Sequence, residues 1–236
     1  MRSSYPVAIL VACALLACAE ARAGAVTDGS MGAVQSLSGR FIVPQTLGTV
    51  RGANLFHSFA RFGIAPGEGA RFTTTDPGLQ HVIARVTGGE ASVLQGPLQL
   101  QAAAGSAPAL WLVNPSGVMV GAGASFDVPA GLHLGAAPQL RFADGSTWAA
   151  GSPQASTLSV APPEAFGFLG GPAGTLAVRD AALQPPFGGR LTLAGGEIVV
   201  ERAFVATALA DLVLQSPGAV HLGAGADLSA SGLGSG

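Results

Sequence analysis

From Leu110 onward the chain settles into a rhythm of short apolar clusters. Leu110-Trp111-Leu112-Val113, Val118-Met119-Val120, Phe126-Asp127-Val128 and Leu132-His133-Leu134 follow one another, each three or four residues long and each followed by a Gly- or Pro-bearing turn. Such pieces are too short for ordinary sandwich strands. The rhythm returns near the end, where LTLAGGEIVV from Leu191 lays over LVLQSPGAVHL from Leu212 at an offset of about 21 residues. A period of that size belongs to solenoids. In a solenoid each turn sets short strands beneath those of the next, so apolar residues stack into one core while Gly-rich corners bend the chain. The predicted architecture is an all-β parallel β-helix.

Earlier segments fit the same plan. Phe41-Ile42-Val43 reads as a short strand, and His81 to Val86 and Leu94 to Leu100 read as two alternating strands joined across Gly88-Gly89. Between Gly52 and Phe72, the residues Leu55, Phe56, Phe59 and Phe62 fit either a one-turn helical face or an aromatic strand, and spacing does not decide between them. Asn114-Pro115-Ser116-Gly117 reads as a type I turn: Asn folds its side chain back onto the backbone, Pro fixes φ and Gly relieves crowding. A solenoid must hide its ends. The closing GADLSASGLGSG instead reads as the start of another coil, so the chain is expected to be a truncated product or the front of something longer.

The first residues change the picture from fold to compartment. Arg2, an apolar run from Val7 to Ala19 and Ala21-Arg22-Ala23 before Gly24 have the layout of a secretory signal cleaved between Ala23 and Gly24. The expected organisation is a signal peptide at 1–23 and one β-helix domain at 24–236. No later stretch stays apolar long enough to span a bilayer. Cys13 and Cys18 both lie in the signal, leaving a mature chain without disulfides in an oxidising compartment. Passage through a narrow pore, where a closed loop would jam, is one physical reason. Leu16-Ala17-Cys18 also permits lipidation at Cys18 as a rival reading.

Composition and charge narrow the class further. With 35 Gly, 16 Pro, 49% hydrophobic and 10% charged residues, the chain consists of short apolar runs broken by many turns. Every basic residue is Arg, and the mature chain sets nine arginines against twelve acids, a net charge of −3. With no basic run, binding to nucleic acid or to an anionic membrane surface has no electrostatic basis.

Catalytic patterns are sparse. His57, His81, His133 and His221 stand far apart in sequence without metal-ligand spacing, each reading as a satisfied strand or loop residue. Polysaccharide-cleaving β-helices use clustered acids, sometimes with an arginine base. The candidates for that chemistry are Asp76, Asp127, Asp144 and Arg85. GAGADLS at 223–229 resembles one imperfect calcium nonapeptide and reads better as a Gly-rich corner. There is no phosphate-cradling loop, no Gly-x-Ser-x-Gly elbow and no mature Cys nucleophile, so neither cofactor nor enzymatic activity is expected.

Four phrases carry a family resemblance. NLFHSFARF at 54–62, HVIARVTGG at 81–89, LWLVNPSGVMVG at 110–121 and APPEAFGFLG at 161–170 resemble, in order, the N-terminal secretion domain of filamentous-haemagglutinin-like exoproteins, the passengers of two-partner secretion. The resemblance runs from about Val26 to the end. It implies a single-stranded right-handed parallel β-helix of the pectin-lyase-like kind, with an N-terminal cap and extra-helical strands. It singles out Asn54, Leu55, Phe56, His57, Phe59, Phe62, Arg85, Gly88 and Gly89 as motif residues. It further implies a module of a large adhesin- or haemagglutinin-type exoprotein, recognised by the periplasmic POTRA domains of an outer-membrane β-barrel transporter in a Gram-negative bacterium. The family's NPNG stands here as Asn114-Pro115-Ser116-Gly117, with Ser for the second Asn, and its NPNL has no clear counterpart. The alternatives are a stand-alone carbohydrate-binding adhesin fragment and a polysaccharide-degrading β-helix.

Overall fold

The computed structural model describes residues 23–151, 157–185 and 188–231. The apolar run of the signal, the lipidation reading of Cys18 and the last residues of GADLSASGLGSG lie outside them. The chain winds into stacked coils with three faces. The first face runs, coil by coil, through Asn54–Gly63, His81–Val86, Ala109–Val113, Leu132–Ala136, Leu191–Gly195 and Leu212–Gln215, all paired in parallel. The second holds Ser92–Leu94, Val118–Val120, Thr175–Arg179, Glu197–Glu201 and Val220–Leu222. The third begins with Arg40–Pro44, Gly69–Thr73, Pro97–Gln101 and Ser125–Asp127, and its later strands are Ala182–Leu183, Phe204–Ala208 and Asp227–Ser231.

In-register pairing turns sequence repetition into columns. Leu55, Val82, Leu110, Leu132, Leu191 and Leu212 stack inside the solenoid. Leu191 pairs with Leu212, so the 21-residue offset is one coil. Strands on the third face alternate, as in the eBeBi burial of Arg40–Pro44, because only their inner side is dry. First-face strands are buried almost throughout, Leu132–Ala136 and Leu191–Gly195 completely, except the last, Leu212–Gln215, which is half-buried along its length. Burial on both sides is what a parallel sheet covered on both faces requires.

The outer cover is an excursion. Between Leu132–Ala136 and Thr175–Arg179 the chain leaves the coil and builds an antiparallel sheet from Gln139–Phe142, Thr147–Ala149 and Pro163–Gly167. This sheet folds back over the outward side chains of the first face. A second core results, with Phe56, Ile83, Trp111 and Val113 on one side and Leu140, Phe142, Trp148 and Phe166 on the other. Phe166 seats against coil 4 because Gly135 has no Cβ, which would strike its ring. Burying the four first-face side chains stabilises by about 8 kcal/mol, set against about 5–15 kcal/mol for the net stability of a whole domain.

The N-terminal end is sealed. Gly24–Thr27 and Thr49–Arg51 both pair antiparallel with Asn54–Gly63 and cover its outer edge, removing an open template for pairing. A cluster of Phe41, Phe59, Phe62 and Phe72 plugs the core beneath, with Phe59 and Phe62 ring centroids 5.2 Å apart.

One open choice is settled and one expectation needs correcting. NLFHSFARF is a strand, its choice between helix and strand settled by pairing with His81–Val86. His81–Val86 does not alternate, since both its sides are covered, and Leu94 to Leu100 breaks into two strands at Gly96, where a Cβ would meet the Glu68 carbonyl. The second core makes a direct prediction. Phe56→Ala lowers the free energy of unfolding by about 3–5 kcal/mol, whereas Phe204→Ala, at a half-exposed site on the third face, costs less than about 1 kcal/mol; chemical denaturation of both variants checks the contrast.

Candidate functional site

The NPSG segment links Ala109–Val113 to Val118–Val120. It is a tight turn, closed by the Gly117 N–H donating to the Asn114 carbonyl at 3.0 Å. Asn114 Oδ1 accepts from the Ser116 N–H at 3.0 Å, the fold-back expected of Asn at this position. Its Nδ2 does more than a turn needs, donating to the Glu90 carbonyl at 2.9 Å and to Ser92 Oγ at 3.0 Å in the preceding coil. Asn114 is fully buried, Pro115 half-buried and Ser116 exposed. Gly117 has φ +125°, and a Cβ there would sit 3.2 Å from the Thr175 carbonyl of the next coil. The turn is therefore clamped between its neighbours. What it offers a partner is Ser116 and one side of Pro115, and Ser116 is the residue that departs from NPNG.

The remaining motif residues are mostly interior. Leu55, Phe59 and Phe62 lie in the inner core, while Phe56 belongs to the outer one. Asn54 reaches across to the excursion, its Nδ2 donating to the carbonyls of Ser159 at 3.1 Å and Ala161 at 2.7 Å. A Cβ on Gly88 would run into the Ala60 carbonyl, so this position needs glycine for close backbone approach; Gly89 needs it for φ +82°. Ala23 and Gly24 sit at the start of the first strand, with Gly24 at φ +85°.

Arg85 is fully buried at the centre of a polar junction. Its Nε donates to Ser58 Oγ at 2.8 Å and one terminal nitrogen to the Ala149 carbonyl at 2.7 Å, and its guanidinium lies 4.5 Å from the Trp148 ring centroid. Asp28 completes the junction, accepting from Ser58 Oγ at 2.6 Å, Thr87 Oγ1 at 3.0 Å and Ser30 Oγ at 2.7 Å. Burial pushes the Asp28 carboxyl up, but these hydrogen bonds outweigh it and hold its pKa below the usual value. Burial lowers the Arg85 pKa while the Asp28 charge opposes the shift. Asp28, Ser58 and Trp148 escape sequence reasoning because they come from the N-terminal loop, coil 1 and the excursion. Only Asp28-Gly29 carries a local signal, and that signal marks a turn.

The acids once grouped with Arg85 stay apart. Asp76 accepts from the Gly78 N–H of its own turn, Asp127 from Gln99 on the third face, and Asp144 from Ser146 and Ser159 in the excursion. Among the described residues no three His, Cys, Asp or Glu side chains converge to hold a metal ion. GAGADLS forms a corner with Gly225 at φ +71° leading into Asp227–Ser231.

Of the histidines, His57 and His81 depart from expectation, each with a buried ring nitrogen that has no hydrogen-bond partner. His81 and His133 share a cleft of about 480 Å³ between the first face and the excursion, with Trp111 between them. His133 stacks on Trp111 at 3.7 Å, and its Nδ1 is 2.9 Å from Thr192 Oγ1. His57 is fully buried, edge-on to Phe72 at 5.4 Å, and neither ring nitrogen has a hydrogen-bond partner. The Leu47 backbone lies near enough to favour the charged form slightly but falls short of hydrogen-bond geometry. Burial lowers the pKa of His57 to about 4, of His81 to about 4, and of His133, with help from Arg190 and His81, to about 3.

These features define a capped β-solenoid whose sequence motifs are built into coil-to-coil contacts. The family model for the TPS secretion domain matches residues 21–233, and the chain belongs to that family. It is a secretion-targeting module of the two-partner-secretion type, which works with a transporter. Among solved structures, the filamentous hemagglutinin secretion domain aligns at 15% identity and a TM-score of 0.40, over 88% of this chain and 100% of that one. No curated protein matches the chain.

Two outcomes follow from the site. Asn114→Ala strips Glu90 and Ser92 of their partner and costs about 2 kcal/mol, while Ser116→Asn changes stability by less than about 0.5 kcal/mol, both read from denaturation midpoints. His57 binds fewer protons folded than unfolded between its folded pKa of about 4 and its unfolded value of 6.5. Its contribution is complete above pH 6.5 and falls away as the pH drops toward 4, on the order of 3 kcal/mol in all. His57→Leu should flatten the pH dependence of the denaturation midpoint across that window.

Proposed function

We propose that this domain is the recognition and fold-nucleating head of a large surface exoprotein of adhesin or haemagglutinin type. A signal peptide ending at Ala23 takes the chain to the periplasm of a Gram-negative bacterium. There the POTRA domains of a partner β-barrel transporter bind it before it crosses the outer membrane. The family match over nearly the whole mature chain carries this reading. The low charge and the cysteine-free mature chain suit threading through a pore. Stacking of coils outside the cell supplies a free-energy gradient that needs no ATP. Asn114 serves the route by holding the turn between coils, as its inward hydrogen bonds indicate.

A second reading, direct binding of carbohydrate, has one observation behind it. The cleft beside Trp111 and His133 is lined by the polar side chains of Glu164, Arg190 and Gln215 next to the apolar surfaces of Pro162 and Pro163. A refolded domain that binds an oligosaccharide array, and loses that binding on Glu164→Ala, would support it.

Co-expression with the cognate transporter tests the main reading. The chain should reach the medium or cell surface, with Asn114→Ala lowering export and stability in parallel and Ser116→Ala leaving both near wild type. Export without the transporter, or a stably folded domain that the transporter fails to export, would overturn it.

A further inference from the structure

In a simple solenoid each coil touches only its neighbours, so folding can begin at one end and propagate. The excursion at 137–174 breaks that rule. It leaves the fourth coil and returns to the first three: Trp148 packs edge-on to Phe56 of coil 1 at 5.1 Å and covers Arg85 of coil 2, while Phe166 lies 5.5 Å from Trp111 of coil 3. Asn54, the first residue of coil 1, bonds to carbonyls 105 and 107 residues further on. The N-terminal loop joins the same junction through Asp28 and through Ser30 Oγ, 3.3 Å from Arg85.

We infer that the excursion is a folding latch: coils 1 to 3 close only when residues up to about 168 are present to cover their outer face, so the domain assembles as one unit. Until then Phe56, Ile83 and Trp111 face water on the outer side of a sheet that is dry only within. The inner stack of coils 1 to 3 and the N-terminal seal precede the excursion in the chain, yet five of the eleven buried side chains of the second core come from 140–166. A chain delivered from its N-terminus therefore stays open through its first three coils and closes in one step. The proposal deepens the export reading, because it sets how much chain must emerge before folding can hold it outside. The folding claim itself needs no transporter and can be tested alone.

Pulse-labelled hydrogen exchange during refolding of the mature chain, residues 24–236, provides the test. Amides in Asn54–Gly63 and His81–Val86 should gain protection at the same rate as those in Gln139–Phe142 and Pro163–Gly167. Protection of the first three coils ahead of the excursion would overturn the proposal. At equilibrium, Trp148→Ala should lower protection in coils 1 and 2 by the same factor as in the excursion, about tenfold or more, with Trp148→Phe intermediate. Loosening confined to 139–167 would show the excursion to be a passive cover and sink the idea. Should Trp148→Ala fail to fold, the wild-type refolding kinetics and the Trp148→Phe exchange still decide.

Discussion

The strands of the first face carry large apolar side chains outward as well as inward, and water must be excluded from both sides. Inward exclusion is automatic, since stacked coils enclose their own core. Outward exclusion has to be supplied by other parts of the chain, and the antiparallel sheet of the excursion supplies it. Most other local features follow from that demand. Gly135 is small so that Phe166 can seat, Asn54 is polar to receive the returning backbone, and Arg85 is buried because Trp148 lies over it.

Charge enters this interior only in compensated form. Arg85 and Asp28 share Ser58 between them, and the excursion contributes a carbonyl and an aromatic face. Buried ionic groups of this kind add little net stability, but removing one partner leaves the other exposed to the full desolvation penalty. The junction therefore specifies which pieces meet. His57 and His133 take the other course and remain neutral.

The solenoid was legible because its repeat is written in residue types: a column of Leu at one-coil spacing can be seen without coordinates, and Leu191 over Leu212 gave both period and register. The double cover of the first face was not legible, because LWLV and Phe41-Ile42-Val43 are both continuous apolar runs, yet Ile42 is exposed while Trp111 is buried under the excursion. NPSG was recognisable as a turn because Asn, Pro and Gly act locally there. Its grip on Glu90 and Ser92 was not, since that depends on the preceding coil's corner lying within 3 Å of Asn114. Arg85 was singled out by resemblance, but its partners come from segments with no shared pattern. The approach of His81 and His133 near Trp111 was hidden for a related reason: it depends on a register that sets His133 beside Trp111 and His81 beside Ala109, in coils of unequal length.

The pitch of the later coils also sets a scale. Leu191 to Leu212 spends 21 residues on a single strand-to-strand step, and that step advances the axis by about 4.8 Å. A polypeptide that kept this economy would lengthen by roughly 23 Å for every hundred residues. A thousand residues would then make a rod roughly 230 Å tall, so the number of coils encoded in a gene would determine the reach of the solenoid.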